Sequence, residues 1–210
     1  MLRNRVGLCV FATVALAAPA AAQVTVAALG DSLTAGYGLP TADGFVPQMQ
    51  AWLDAQGADV VLLNAGVSGD TTAGGLSRMD WTLTPDVDGV IVALGGNDYL
   101  RGLDPVVSRD NLDAILAKAQ TAEVPALLVG LEAGTNYGAD FTQAFNGMYA
   151  ELGAAYDVPV YPDWFGPLRE GDLRTYLQDD GVHPNAEGVS LIVDAMGPAL
   201  LAFIENLPEG

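Results

Sequence analysis

The chain has 210 residues, enough for one domain with a full core, and half of them are hydrophobic, which excludes a disordered chain. Its 26 acidic and 8 basic side chains leave a net charge of −18, which argues against nucleic acid and anionic membrane surfaces as partners. One cysteine (Cys9) and one histidine (His183) exclude thiolate-ligated and multi-histidine metal centres, so no metal and no cofactor is expected.

The chain opens on a leader. Arg3 and Arg5 precede the apolar run Val6–Ala18, and Ala20-Ala21-Ala22 supplies the small residues of a cleavage site. Residues 1–22 are therefore expected to be a signal peptide, and residues 23–210 a single domain. The apolar run is short for a membrane span. Cleavage after Ala22 would leave no stable membrane insertion and no cysteine, and an exported chain without disulfides relies on its core alone. The expected location is the periplasm or the medium, and the expected state a monomer.

Beyond the leader, strands and helices alternate. Val24–Leu29 is the first strand. Phe45, Val46, Met49, Trp52 and Leu53 recur at helical spacing over Asp43–Gln56. Ala58–Asn64 is the second strand, and its unbroken apolar order predicts burial on both faces. Thr71 to about Trp81 reads as a helix weakened by Gly74 and Gly75. Gly89–Leu94 is the third strand, followed by a Gly95-Gly96 turn.

Asp104 and Pro105 open the next helix as cap and first residue. Its core stripe is predicted to be Val107, Leu112, Ile115, Leu116 and Ala119. Pro125–Leu131 is the fourth strand. Phe141, Ala144, Phe145, Met148 and Leu152 mark a helix ending near Gly153, and Val158–Tyr161 is a short fifth strand. Tyr161–Gln178 is irregular and is expected to cover one edge of the site. Pro184 is expected to start the last helix, which Pro198 either kinks or divides. This alternation predicts an α/β fold, a parallel sheet with helices on both faces.

Polar, glycine-containing loops follow the first three strands: Gly30-Asp31-Ser32, Asn64 to Asp70, and Gly95-Gly96-Asn97-Asp98. In a parallel sheet they share one edge with the Asp180–His183 turn, which precedes the last helix. Ser32 needs a base to act as a nucleophile, and His183 is the only imidazole in the chain. Asp180, three residues earlier, is placed to orient that imidazole, with Asp179 as a neighbour of the same chemistry. Donors for an oxyanion are the backbone N–H groups of Ser32 and Gly69 and the side-chain amide of Asn97.

Gly30-Asp31-Ser32-Leu33, Gly69, Gly95-Gly96-Asn97-Asp98 and Asp180-Gly181-Val182-His183-Pro184 resemble the four blocks of the GDSL, or SGNH, hydrolase superfamily. The resemblance is closest to the bacterial exported thioesterase, arylesterase and lysophospholipase group. It extends through Thr34-Ala35-Gly36-Tyr37, Asn64-Ala65, Ser68-Gly69-Asp70-Thr71 and Asn136-Tyr137-Gly138. It implies a flavodoxin-like three-layer sandwich of about five strands. It also implies hydrolysis of small acyl esters and thioesters through an acyl-enzyme on Ser32. The substrates implied are aryl esters, short to medium acyl esters and lysophospholipids. Asn136 and Tyr137 are then expected at the acyl site. Tyr99 stands where the family is expected to have a small residue, which implies an effect on acyl-chain length.

Two other functions fit the same residues. A carbohydrate acetylesterase of the same family would release acetate and spare longer acyl esters. A non-catalytic exported binding protein would be inert towards activated esters. No Gly-x-Ser-x-Gly pentapeptide, phosphate-binding loop or EF-hand loop occurs in the sequence.

Overall fold

The structure is a computed structural model and describes residues 23–208; the proposed leader and Cys9 lie outside the described residues. Five strands form one sheet: β1 (Val24–Gly30), β2 (Val60–Gly66), β3 (Gly89–Ala93), β4 (Ala126–Val129) and β5 (Val160–Tyr161). All pairings are parallel, in the order β2-β1-β3-β4-β5. This is the flavodoxin-like order, whose switch point lies between β1 and β3.

Seven α-helices connect and flank the strands: α1 (Ser32–Ala35), α2 (Phe45–Gln56), α3 (Thr72–Thr82), α4 (Gly96–Leu100), α5 (Pro105–Thr121), α6 (Ala139–Tyr156) and α7 (Ala186–Glu205). Short 3-10 turns occupy Thr41–Asp43, Gly166–Glu170 and Leu173–Tyr176. Successive strand residues point to opposite faces, so β1 divides its side chains between two cores. Val26 and Ala28 pack with Met49 and Leu53 of α2 and Ile192 and Met196 of α7. Ala27 and Leu29 pack with Met79 of α3, Leu112 and Ile115 of α5 and Phe145 and Met148 of α6.

The boundaries predicted for the strands and the longer helices shift by a few residues, and several expectations are corrected. The second strand is not buried on both faces. β2 is an edge strand, and while Val60 and Leu62 are buried, Leu63 is exposed. An apolar run does not reveal which strand will lie at an edge. Gly74 and Gly75 do not merely weaken α3. A Cβ at Gly74 would lie 2.6 Å from the Asp70 carboxylate, and one at Gly75 would collide with Leu94.

The predicted Gly95-Gly96 turn continues into the one-turn helix α4, too short to show a period. Val107 and Ala144 face outward; Ser108, next to Val107, is buried instead, and in α6 Tyr149 is buried along with the predicted Phe145, Met148 and Leu152. Pro184 does not start the last helix. It pairs with Leu177 in an isolated bridge, and the Asn185 side chain caps α7 by accepting the Gly188 N–H at 2.9 Å. Such a cap contributes about 1 kcal/mol. Pro198 lies inside α7, which runs unbroken through it.

Candidate active site

β1 ends at Gly30, where any Cβ would collide with the Thr34 side chain, so the turn into α1 requires glycine. The Asp31 carboxylate caps α1 by accepting the Leu33 N–H at 3.0 Å, and Ser32 occupies the first helical position. From the far end of the sequence, the turn before α7 brings in His183. Its Nε2 lies 2.8 Å from Ser32 Oγ, and its Nδ1 lies 2.6 Å from Asp180 Oδ2. With Nδ1–H donated to Asp180, Nε2 is left to accept the serine proton. Asp180 Oδ1 accepts the backbone N–H groups of Val182 (2.9 Å) and His183 (3.0 Å). The His183 backbone N–H, its ring and the Val182 N–H together lower the Asp180 pKa to about 2. Of the two adjacent carboxylates, Asp180 meets the imidazole.

Asp31 has the opposite environment. It is buried, and loss of hydration raises its pKa to about 6. The Leu33 N–H, the charge of His183 and the Asn97 amide pull it down less strongly, while Asp98 pushes it further up.

Asn97 lies in α4 and lines the same cleft as Ser32 and His183. Its side-chain amide donates to the Asp70 carbonyl at 2.9 Å. Gly69 lies in the exposed loop after β2 with φ +87°, a conformation suited to glycine, and its carbonyl accepts from Arg101 at 2.8 Å. The next residue, Asp70, is the one whose carbonyl the Asn97 amide holds, which ties this loop to α4.

The cleft encloses about 360 Å³. Tyr99, Leu100, Leu131, Phe165, Leu173 and Leu177 give it apolar walls, and Glu132 and Arg169 add charge. The Tyr161–Gln178 segment thus covers one side, as expected. Asn136 and Tyr137 are exposed and do not contribute to the wall. Tyr137 instead packs edge-on against Tyr99, ring centres 6.0 Å apart.

Three supporting groups escaped the sequence reading. The Arg78 guanidinium donates to the Asp70 carboxylate (2.6 Å), the Ala65 carbonyl (2.5 Å) and the Gly30 carbonyl (2.7 Å), tying the ends of β1 and β2 together. Gln178 donates to the Tyr37 carbonyl (2.8 Å) and the Pro184 carbonyl (2.9 Å), fastening the histidine turn to the loop after Ser32. Ser108, with Thr72, donates to the buried Asp98 carboxylate at the base of α4. Each of these groups joins segments that lie apart in the chain or in separate turns, such as Arg78 to Gly30 and Gln178 to Tyr37, so no periodic pattern marked them.

A profile of the GDSL-like Lipase/Acylhydrolase family matches residues 28–191. The chain is 35% identical over 190 residues to esterase TesA of Pseudomonas aeruginosa, covering 90% of this chain and 93% of that one. It is 34% identical over 189 residues to thioesterase 1/protease 1/lysophospholipase L1 of Escherichia coli K12, covering 89% and 88%. Among solved structures it resembles AlinE4, an SGNH-hydrolase family esterase, at 40% identity and a TM-score of 0.72, covering 86% and 96%.

Proposed function

The chain belongs to the GDSL-like lipase/acylhydrolase family, and from that premise we propose how it works as a hydrolase of carboxylic esters and thioesters. Ser32 attacks the acyl carbonyl while His183 takes its proton. Asp180 holds the imidazole in the required tautomer and stabilises the imidazolium. The tetrahedral oxyanion is met by the Ser32 and Gly69 N–H groups and the Asn97 amide. His183 returns the proton to the leaving alcohol or thiol. Water then repeats the sequence on the acyl-enzyme. The observation that carries this assignment is the Ser32–His183–Asp180 chain, with contacts of 2.8 and 2.6 Å.

The substrates are small esters with an apolar acyl group, including aryl esters and lysophospholipids, and Tyr99 in the cleft wall influences acyl length. A charge of −18 disfavours highly anionic acyl carriers, so ester cleavage is the physiological reaction and acyl-CoA cleavage incidental. Removal of residues 1–22 on export to the periplasm or medium would leave a monomer.

The test follows p-nitrophenyl esters from acetate to laurate near pH 8. Ser32→Ala and His183→Ala should each lower kcat by roughly 10⁴-fold or more, with the fold retained. Variants that kept wild-type turnover would overturn the assignment.

A further inference from the structure

Five of the nine large apolar side chains exposed among the described residues belong to the end of α4 and the segment after it, or bond to it: Leu100, Leu103, Val106, Val107 and Tyr137. Two separate segments build this surface. Leu100 ends α4, and Val106 and Val107 lie in the first turn of α5. Tyr137 comes from the connection between β4 and α6, yet its O–H donates to the Leu100 carbonyl at 3.3 Å. Its ring covers Gly102, where a Cβ would lie 2.7 Å away. Leu100 belongs both to this surface, at 54% exposure, and to the cleft wall, so the patch is continuous with the site. Val106 and Val107 are 58% and 52% exposed, while the neighbouring Ser108 is fully buried. The fold thus turns two branched apolar side chains outward in the first turn of α5, at the end of the sheet that holds the cleft. Such a patch marks an interaction surface.

Charge narrows the occupant. Residues 99–110 carry Arg101, Asp104, Arg109 and Asp110, no net charge, in a chain of net −18, and Arg109 is paired with Glu151. A second copy would be repelled by the charge of the whole molecule. A zwitterionic lipid surface has no net charge and offers hydrocarbon just beneath its headgroups. We propose that the surface of Leu100, Leu103, Val106, Val107 and Tyr137 docks the enzyme on zwitterionic lipid aggregates. A single-chain lipid ester then enters the cleft from the aggregate without crossing water. The inference rests on the ester hydrolase reading above.

Two measurements on the full mature chain test it. The first is co-flotation with phosphatidylcholine vesicles, using the Ser32→Ala protein so that no turnover is needed. The second is hydrolysis of lysophosphatidylcholine below and above its critical micelle concentration, with p-nitrophenyl butyrate as a monomeric control. Wild type should show a rate step above that concentration. Val106→Ser/Val107→Ser should weaken vesicle binding and the step by about tenfold. It should leave butyrate turnover within about twofold and thermal stability nearly unchanged. Equal vesicle binding with and without the two substitutions overturns docking, as does a wild type that ignores vesicles. So does a dimer in sedimentation that these substitutions dissociate while vesicle binding stays the same. Vesicle binding without cleavage of any ester would support docking and sink the hydrolase reading instead.

Discussion

The cleft at the N-terminal end of the strands is larger than the one at the C-terminal end, about 600 Å³ against about 360 Å³, yet only the smaller holds a serine beside an imidazole. The larger cleft is lined by Leu116, Ala119, Val124, Pro125, Ala202 and Phe203, with Glu123 and Asp157 at turns. The difference follows from parallel connectivity. The helices that follow strands start at the C-terminal end of the sheet and finish at the other. Their N-termini present unpaired N–H donors and the positive end of the helix dipole, whereas their C-termini present carbonyls. A tetrahedral oxyanion can be stabilised among the former and not among the latter. Cavity size therefore says less about function here than which helix ends face the cavity.

Beyond Ser32 and His183, the sharpest contrast is within the active end itself. Asp180→Asn should keep the backbone bonds to Val182 and His183 but present an amide to the ring, favouring the wrong tautomer. The expected loss in kcat is roughly 10³–10⁴-fold, while Asp179→Asn should stay within about twofold in the same steady-state assay. Asn97→Ala should cost about 10²–10³-fold in kcat with little change in KM. A loss confined to KM would make Asn97 only a brace for the Asp70 loop.

Asp31→Asn probes the cost of a buried carboxylate. An unfolded Asp titrates near 3.9, whereas folded Asp31 holds its proton up to about pH 6. Between these values the native state binds the extra proton. The group therefore favours the fold increasingly as pH falls from 6 towards 4, and its ionised form opposes the fold at pH 8. The amide variant retains an oxygen to accept the Leu33 N–H. It should melt higher than wild type at pH 8, by about 1–3 kcal/mol in stability, and the gain should disappear near pH 4 in a calorimetric pH series.

The smallest effect belongs to the far end. Ala202→Leu, which fills part of the larger cleft, should leave ester turnover within about twofold. A tenfold loss would break the contrast between the two ends.

The alternation of elements was legible in the sequence because buried strands and amphipathic helices carry their own periods. Asp104-Pro105 fixed the start of α5, and its cap bonds the Val106 N–H at 2.9 Å. The blocks around Ser32, Asn97 and His183 were legible because each lies within a few residues of a turn that needs glycine. Asp180 was less distinct, since the sequence places Asp179 beside it and only the turn geometry aims one carboxylate at the ring.

The sequence by itself determined the α/β class, the Asp104 cap of α5 and the turns at which Ser32, Asn97 and His183 stand, since these depend on residue type and local spacing. Only the tertiary structure decided that β2 is an edge strand, that Val107 faces outward while Ser108 turns in to Asp98, and that Arg78 and Gln178 bind the site's loops together. Those outcomes depend on partners distant in the chain. A buried carboxylate or an orphan carbonyl takes whatever donor the fold brings within reach, and sequence separation carries no record of that distance.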